Sequence, residues 1–341
     1  MKEIQVTASK CYTVTIGNGV LQNLLEQING ATQVCIVSDS NVWPLYGKTI
    51  QECVLANGIV AREFVFPAGE NSKNTETYLK LLNFLSEHHV TRSDYLIALG
   101  GGVVGDLAGF AAATYLRGIP YIQVPTTLLA MVDSSVGGKT GIDLPSGKNL
   151  CGAFYQPTAV LCDTHALSTI PYEVFRDGCA EVIKYGILYD PTLFAHLEET
   201  GLGFDQEYVI SRCIELKRDV VAQDEFDTGL RMKLNLGHTI GHAIEKCSHY
   251  AISHGKAVAI GMAIVSRAAS CPDADRICSL LQCFGLPTNT EYSAEALATA
   301  ALSDKKRSGD MLNLVIPHFI GDCRILSTPI EQLQAFIEKG L

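Results

Sequence analysis

Several features are missing from this 341-residue sequence, and each absence excludes a class of protein. Apolar runs such as Ala257 to Val265 are far shorter than the roughly 20 residues that a membrane-spanning helix needs. The net charge is −10, and no basic stretch is interleaved with aromatic residues, so a nucleic-acid-binding surface is not expected. The segment Met1 to Val6 lacks the apolar stretch of a signal peptide and is predicted to be an amphipathic strand. We therefore expect a soluble, cytoplasmic protein that binds neither membrane nor nucleic acid.

The twelve cysteines form no CxxC pair and no tight framework of the kind that disulfide-rich domains show. Many lie in apolar runs, such as Val34 to Ile36 and Leu161 to Cys162. Cys278 and Cys283 are too far apart to form half of a zinc site. The sequence thus predicts buried free thiols in a reducing compartment.

A change in the predicted secondary structure near residue 172 indicates two domains. Before it, short β-rich runs alternate with amphipathic helical patterns, whereas long helical patterns dominate after it. The predicted strands cover 33–37, 63–66, 95–99, 121–124 and 159–162, and the predicted helices 75–88, 106–116, 204–222, 236–247, 256–269 and 330–339. We expect an α/β fold in which a Rossmann-like domain with a parallel sheet, residues 1–172, precedes a mainly α-helical domain, residues 173–341.

A glycine-rich turn after the predicted strand 95–99 indicates a nucleotide-binding site. The sequence Gly100-Gly-Gly-Val-Val-Gly-Asp106 leads into a helix, and its glycines would let backbone N–H groups approach a pyrophosphate closely. The spacing is not GxGxxG, and the usual acidic residue about 20 positions on is absent, so a packing turn is the alternative. Asp39, at the end of a strand, could accept hydrogen bonds from a ribose, and Thr126 and Thr127 add hydroxyls at the end of another.

The segment Gly137-Gly-Lys-Thr140 resembles part of a P-loop, but the position that requires the first glycine holds Asp133. We therefore reject a nucleoside triphosphatase. What remains is a polar segment, 133–149, in which Lys139 and Lys148 stand among glycines. Such a segment suits the binding of a phosphate and a cofactor, and an exposed loop is the alternative.

Four of the nine histidines, His238, His242, His249 and His254, lie within seventeen residues. On a helix, Arg231, Asn235, His238 and His242 would share one face among apolar residues, as in the wall of a polar cavity. A single histidine is more often a core imidazole bonded to a backbone carbonyl, but this clustering favours a metal or proton-transfer site. From the spacing alone, His238 and His242 would be the ligand pair.

An ordered set of motifs between about residues 35 and 310 resembles the 3-dehydroquinate synthases. These enzymes share a scaffold with other sugar-phosphate cyclases and with iron-type alcohol dehydrogenases, but only the synthases have the whole set. The motifs are Gly100–Asp106, Pro125–Asp143, Gly147–Asn149, Glu181–Gly186, Leu234–Glu245, His254–Met262 and Asp304–Lys306. The resemblance implies an NAD-binding first domain, a metal- and substrate-binding second domain, and an active site in the cleft between them.

The resemblance also implies a reaction. The enzyme would be a metal- and NAD-dependent carbon–oxygen lyase of the shikimate pathway, which leads to chorismate and the aromatic amino acids. It would convert 3-deoxy-D-arabino-heptulosonate 7-phosphate into 3-dehydroquinate and phosphate. Transient oxidation by NAD⁺ would permit elimination of phosphate, re-reduction would follow, and the opened ring would close by an aldol step. The leaving phosphate could serve as its own base, so the enzyme would mainly orient it.

The resemblance assigns the metal ligands differently from the spacing. Glu181, His238 and His254 match the ligands of Zn²⁺ or Co²⁺, whereas His242 matches a residue at the phosphate end of the substrate. The substrate hydroxyls would be bound by Asp133, Lys184 and Asn235, and the carboxylate by Lys217 and Arg231. The phosphate would be bound by Lys139, Asn149, His242, one of Lys305 and Lys306, and Arg117 of a neighbouring subunit, which implies a homodimer.

The matching NAD positions are Asp39, Asn41, Glu70, Lys73, Gly101, Gly102, Val103, Val104, Gly105, Asp106, Thr126, Thr127, Lys139, Lys148 and Thr169. One position departs from the family: Asp227 stands where the family usually has Glu, and its role is left open. Related cyclases act on substrates without a carboxylate, so Lys217 and Arg231 together favour the synthase. A polyol dehydrogenase and a non-catalytic metal- or nucleotide-binding protein are the remaining alternatives.

Overall fold

The computed structural model describes residues 1–28, 30–302, 307–308 and 310–341. The chain divides into two compact units. The first comprises Met1–Ile170 and Lys217–Phe226, and the second comprises Pro171–Leu216 and Asp227–Leu341. Across the described ranges, the helices all fall short of the length and apolar character that crossing a membrane requires.

The first unit is built on a mostly parallel sheet whose strand order is β1-β2-β9-β6-β5-β3-β4. Only the pairing of β1 with β2 is antiparallel. A separate antiparallel hairpin pairs β7 with β8. The strands are β1 (Lys2–Val6), β2 (Tyr12–Gly17), β3 (Gln33–Asp39), β4 (Val60–Phe66), β5 (Tyr95–Gly100), β6 (Tyr121–Pro125), β7 (Lys139–Leu144), β8 (Gly147–Phe154) and β9 (Ala159–Asp163). The helices are α1 (Leu24–Gln27), α2 (Lys48–Ala56), α3 (Thr75–Glu87) and α4 (Gly102–Thr114).

Alternate residues of the central strands pack in hydrophobic cores on opposite faces of this sheet, because successive side chains of a strand point to opposite sides. On β3, Cys35 and Val37 pack in the core that includes residues of α3 and α4. Val34 and Ile36 pack in the other core, with residues of α1 and α2. Burial on both faces explains why four consecutive residues of β3, Val34 to Val37, are apolar. The predicted α/β class with a parallel sheet is therefore confirmed, and every strand predicted for this half is present.

The second unit is mainly helical, as predicted. Its helices are α5 (Tyr172–Tyr189), α6 (Pro191–Thr200), α7 (Gln206–Gln223), α8 (His238–Cys247), α9 (His254–Ala268), α10 (Ala274–Cys283), α11 (Ala294–Ala301) and α12 (Leu333–Glu338), of which α7 ends in the first unit. The sequence patterns missed a small antiparallel sheet of β10 (Arg307–Ser308), β11 (Met311–Phe319) and β12 (Asp322–Pro329). They also treated the segment 133–149 as a polar loop, whereas its second half enters the β7–β8 hairpin.

Candidate active site

Three helices of the second unit bring one carboxylate and two imidazoles together. Glu181 lies in the middle of α5, and His238 and His254 are the first residues of α8 and α9. Oε1 of Glu181 lies 3.4 Å from Nε2 of His238 and 3.3 Å from Nε2 of His254. One ligand atom from each residue lies within 4.8 Å of the others. These predicted metal ligands therefore converge on one small volume.

The predicted helical face from Arg231 to His242 is wrong. Residues Leu230–Asn235 form a 3₁₀-helix, and α8 starts only at His238. Gly237 separates the two with a left-handed backbone, φ +77°, which favours glycine because it has no Cβ. His242 nevertheless lies close by, because its ring centroid is 5.5 Å from that of His238. With Glu245 and His254 it forms a second set of potential donors within 4.8 Å of one another.

Glycines allow α8 and α9 to pack closely enough to place His238 beside His254. A Cβ added to Gly261 of α9 would lie 2.0 Å from the carbonyl oxygen of Gly237. One added to Gly241 of α8 would lie 3.1 Å from the amide nitrogen of Val258. The two imidazole centroids are consequently only 5.2 Å apart.

The charge of Glu181 is balanced within α5. Lys184, one turn further on, contacts Oε2 of Glu181, and both side chains are almost completely buried. Burial raises the pKa of the Glu181 carboxyl, but Lys184 and His238 outweigh burial and hold that pKa well below its usual range. The carboxylate is therefore ionised at neutral pH.

The two imidazoles have opposite tendencies. Burial lowers the pKa of His238 to about 4, so this ring is neutral. Its Nδ1 lies 3.1 Å from the carbonyl oxygen of Leu236, an arrangement that places the proton on Nδ1 and leaves Nε2 as an electron-pair donor. Burial alone would lower the pKa of His254, but Glu181 and Glu245 raise it to about 10.

The donors of this cluster suit a divalent transition metal. Within the described part of the chain, neither carboxylate oxygen of Glu181 has a partner in ordinary hydrogen-bond geometry, although both are buried. An ionised carboxylate without such bonds is costly to bury unless a cation compensates it. One carboxylate with two imidazoles is a ligand set that Zn²⁺ and Co²⁺ accept, and it leaves coordination positions open.

Polar groups also gather in the first unit, at the carboxyl ends of β3, β5 and β6. Gly101 precedes α4, and a Cβ on it would lie 3.2 Å from the Thr127 side chain. Asp39 ends β3 and accepts hydrogen bonds from the backbone of Asn41. The hydroxyl oxygen of Thr126 is buried and, among the described residues, has no hydrogen-bond partner. This is the edge at which open α/β sheets bind nucleotides, and the buried hydroxyl is available to a ligand.

A second group of predicted cofactor residues surrounds the buried ammonium of Lys73. Its Nζ donates to Oδ2 of Asp106 at 2.5 Å and to Oδ1 of Asn149 at 2.6 Å. Glu70 lies 3.9 Å away. Burial lowers the pKa of Lys73, but the carboxylates of Asp106 and Glu70 raise it overall, so this side chain is charged. Asp143, which sequence analysis did not single out, accepts a 2.7 Å bond from the backbone of Asn149; its only sequence signal is its place in the motif that follows Lys139.

The remaining predicted substrate residues are divided between the units. In the first unit, Nζ of Lys217 donates to the carbonyl oxygen of Asp133 at 2.7 Å and to its carboxylate at 2.5 Å. In the second unit, Arg231 is buried and Asn235 donates to the carbonyl of Met232. Three further predicted residues lie in the first unit: Lys139 at the start of β7, Lys148 in β8, and Thr169, which bonds the hydroxyl of Tyr46. The other glycine-turn positions, Gly102, Val103, Val104 and Gly105, form the first turn of α4.

Arg117 lies on an exposed turn and has a left-handed backbone, φ +67°. The residue before it, Leu116, also has a positive φ, and Arg92 donates to its carbonyl oxygen. Lys305 and Lys306, the two candidates for the phosphate pocket, lie outside the described residues.

A chain that combines a Rossmann-like unit carrying a glycine-rich turn with a helical unit carrying a carboxylate–imidazole cluster has the composition of an NAD-linked metalloenzyme. The structure is similar to that of an iron-containing alcohol dehydrogenase, with a TM-score of 0.68, 15% identity and 97% of each chain covered. It is more similar to 2-deoxy-scyllo-inosose synthase complexed with carbaglucose-6-phosphate, NAD⁺ and Co²⁺, with a TM-score of 0.90, 26% identity and full coverage of both chains.

The sequence narrows this class to one family. Residues 63–177 match the family model of the 3-dehydroquinate synthase N-terminal domain, and residues 178–307 match that of the C-terminal domain. A 3-dehydroquinate synthase of Pelobacter propionicus is 45% identical over 94% of each chain. The chain belongs to the 3-dehydroquinate synthase family, which confirms the resemblance drawn from its motifs.

Proposed function

We propose that this chain is a 3-dehydroquinate synthase, which converts 3-deoxy-D-arabino-heptulosonate 7-phosphate into 3-dehydroquinate and phosphate in the shikimate pathway. The observation that carries the proposal is the convergence of Glu181, His238 and His254, with Lys184 against the carboxylate. The family relationship identifies the reaction, and the cluster supplies the donors that a metal-dependent form of it requires.

NAD and one divalent metal ion are the cofactors. Bound NAD⁺ supplies a reversible oxidation of the substrate, and bound Zn²⁺ or Co²⁺ supplies Lewis acidity at its oxygens. In this proposal Glu181, His238 and His254 hold the metal. The neutral Nε2 of His238 is ready to bind, whereas His254 must lose a proton first, because an imidazole ligand is neutral.

The chain's own polar groups orient the substrate. Lys184, held on the same face of α5 as Glu181, is proposed to donate to a substrate hydroxyl together with Asn235 and Asp133. Lys139, Asn149 and His242 are proposed to bind the phosphate, with a contribution from Lys305 or Lys306. A base from the protein is unnecessary if the leaving phosphate takes the proton itself, so the work of these groups is to fix its orientation.

The substrate carboxylate separates this reaction from those of related cyclases. We assign it to Lys217 and Arg231, two cations that a substrate without a carboxylate would leave unused. Lys217 is paired with Asp133 in the structure, so the substrate carboxylate would replace or join that partner.

The NAD contacts are proposed at the carboxyl edge of the sheet. Gly101 and Gly102 bring backbone N–H groups to the pyrophosphate, Asp39 accepts from a ribose, and the buried hydroxyl of Thr126 gains a partner. We further propose a cytoplasmic homodimer in which Arg117 reaches the phosphate bound by the neighbouring subunit.

Phosphate release from the seven-carbon keto acid phosphate tests the proposal. Release should require both NAD⁺ and a divalent metal and should stop when the metal is chelated. The absorbance of NADH should show no net change, because the cofactor is regenerated in each turnover. Accumulation of NADH in step with product would instead identify a dehydrogenase. Release from sedoheptulose 7-phosphate but not from the keto acid would identify a different cyclase.

A further inference from the structure

The helix that begins with His254 receives its N-terminal cap from another helix. Ser253, the residue before α9, makes no side-chain hydrogen bond to the first turn. Asp177 of α5 takes its place. Its Oδ2 accepts from the backbone N–H of Gly255 at 3.1 Å, and its Oδ1 accepts from that of Lys256 at 3.1 Å. Oδ1 also accepts from the hydroxyl of Ser253 at 2.5 Å.

These bonds hold the residues that flank His254, a proposed metal ligand, in the chain. Asp177 binds the residue before His254 and the two residues after it. It also lies four residues before Glu181, so the two carboxylates project from the same face of α5, one turn apart. One helix thus contacts the imidazole of His254 through Glu181 and the flanking backbone through Asp177.

The contact between the two helices is too close for a side chain. A Cβ on Gly255 would lie 2.0 Å from the carbonyl oxygen of Asp177 and 2.8 Å from its Cγ. The missing side chain therefore lets the start of α9 lie directly against α5. This observation is independent of the hydrogen bonds and gives the same result, a fixed position for the first turn of α9.

On the opposite side of His254, the connection from α8 is bonded to α8 itself: the backbone N–H of Tyr250 donates to the carbonyl oxygen of Glu245, and that of Ile252 donates to the hydroxyl of Ser248. Nδ1 of His254 lies 3.7 Å from Oε1 of Glu245, which is longer than a hydrogen bond. The connection from α8 includes His249 and Tyr250, both with a left-handed backbone, φ +51° and +63°. Asp177 instead ties the backbone that carries this imidazole to α5, the helix of Glu181.

We propose that Asp177 is a positioning residue of the metal site, which holds the first turn of α9 so that Nε2 of His254 faces Glu181. The proposal rests on the metal ligands proposed above. Residues that orient a ligand typically change metal affinity by about 10- to 100-fold when they are removed. A cap that merely stabilises a helix would lower the stability of the fold without this selective loss.

Metal affinity is measured on the purified chain without NAD or substrate, by competition of Zn²⁺ with a chromophoric chelator and by the visible absorption of bound Co²⁺. Asp177→Ala should raise the dissociation constant of Zn²⁺ by about 10- to 100-fold and alter the Co²⁺ spectrum. The Zn²⁺ dissociation constant of Asp177→Asn should lie between those of the wild type and Asp177→Ala. The amide oxygen of Asn still accepts hydrogen bonds, whereas its NH₂ group cannot accept from Gly255. In the metal-free chain, Asp177→Asn should also speed hydrogen exchange at the amide of Gly255, which donates to Oδ2 in the wild type.

Asp190→Ala is the matched control. Asp190 caps α6 in the same way, accepting from the backbone of Thr192 and Leu193, but has no contact with the cluster in the described structure. It should destabilise the chain and leave Zn²⁺ affinity within about twofold. Wild-type affinity in both Asp177 variants, or an equal loss in Asp190→Ala, would overturn the proposal. If the wild-type chain itself failed to bind Zn²⁺, the proposed metal site would be wrong instead.

Discussion

At the scale of single residues, the pairing of Lys184 with Glu181 concerns which cation compensates the buried carboxylate. Without a metal, the ammonium compensates the buried carboxylate. A divalent cation bound to Glu181, His238 and His254 would take over that compensation. Lys184 would then be available to a substrate hydroxyl, although it stays on the same helical face.

Lys184→Met removes the ammonium and keeps most of the volume. We expect kcat/KM for phosphate release to fall by at least about 100-fold, because a positioned proton donor typically contributes this much. Bound metal, measured by elemental analysis, should remain near one ion per chain. Lys80→Met is the control, since Lys80 is exposed and paired only with Glu76 on α3. Full activity in Lys184→Met would remove this lysine from the site.

Asp94 illustrates a buried charge with a purely structural role. The carboxylate is fully buried and accepts hydrogen bonds from the backbone N–H groups of Thr32, Gln33 and Thr91 and from both threonine hydroxyls. Burial raises the pKa of Asp94, but these hydrogen bonds outweigh it and lower the pKa below its ordinary value. Asp94 therefore ties the start of β3 to the loop before β5.

Asp94→Ala should lower the free energy of unfolding by about 3 kcal/mol at pH 7, because several charge-assisted hydrogen bonds are lost. A depressed folded-state pKa stabilises the fold above the unfolded pKa and loses this effect as the pH falls through the folded value. The difference from wild type should therefore shrink below about pH 4. Urea titrations at pH 7 and pH 3 measure this difference in the free energy of unfolding, with Glu76→Gln as an exposed control. A difference that does not depend on pH would contradict the role of the charge.

The residue scale also shows where sequence reasoning reached its limit. Spacing alone favours His238 with His242, because a helix places such residues together. Whether a third imidazole from another helix lies nearer to the carboxylate depends on tertiary packing, which spacing cannot reveal. His254 required the family resemblance. Asp227 has a left-handed backbone, φ +58°, a conformation that Asp adopts more readily than Glu, but the role of its side chain is still open.

At the scale of helices and strands, glycines decide how α8 and α9 meet. Gly261 lies against the carbonyl of Gly237, and Gly241 lies against the backbone of α9. Close packing of two backbones is the condition for bringing His238 beside His254. The same glycines cost helix stability, so their presence indicates that the contact outweighs propensity.

Gly261→Ala should force the two helices apart. We expect a loss of about 2 to 3 kcal/mol in the free energy of unfolding, as for other overpacked sites, together with weaker Zn²⁺ binding. Gly203→Ala is the control, because no atom lies within 4 Å of a Cβ at that exposed position. Thermal unfolding with and without Zn²⁺ separates the two effects. Retention of wild-type Zn²⁺ affinity in Gly261→Ala would show that the cluster does not depend on this contact.

Sequence patterns predicted the strands that are buried on both faces of the sheet. β3 and β5 lie between two helical layers and have apolar centres, Val34 to Val37 and Leu96 to Leu99, so a continuous apolar run identified them. The hairpin of β7 and β8 is rich in glycine and lysine, and its strands carry no such run. The helical face expected from Arg231 onward was also wrong, because the left-handed Gly237 interrupts a pattern that is apolar on both sides. Local composition does not reveal which glycine is left-handed.

At the scale of the whole molecule, the cysteines differ more than the sequence predicted. All twelve are free, and six are buried, but Cys11, Cys53 and Cys283 are exposed. Burial raises the pKa of Cys35, Cys162, Cys179, Cys271 and Cys323, to about 12 for Cys323. Apolar neighbours in sequence predicted burial, but only for residues on strands and helices of the core.

Alkylation of the native chain by iodoacetamide at pH 8 should therefore modify Cys11, Cys53 and Cys283 first. The six buried thiols should react only after denaturation, because they are inaccessible and their thiolate fraction is very small. Mass spectrometry of peptides gives the sites. Early modification of Cys162 or Cys323 would mean that the surrounding core opens under native conditions.

The family of the protein could be predicted from the sequence, because the family motifs occur in a fixed order across both units. Composition and periodicity gave the α/β class and the helical second half. They could not place Lys217 with Asp133, since these residues are distant in sequence and meet only through the path of α7. Contacts of this kind depend on three-dimensional packing that no local pattern encodes.

The spacing of Asp177 and Glu181 also bears on how this gene can change. Each residue of a helix turns the chain by about 100°, so one inserted or deleted residue between them would swing one carboxylate away from α9. The intervening Gly178, Cys179 and Ala180 are buried and small, and they can vary in identity only within a limited volume. This stretch of α5 can therefore accept some substitutions but no insertion or deletion.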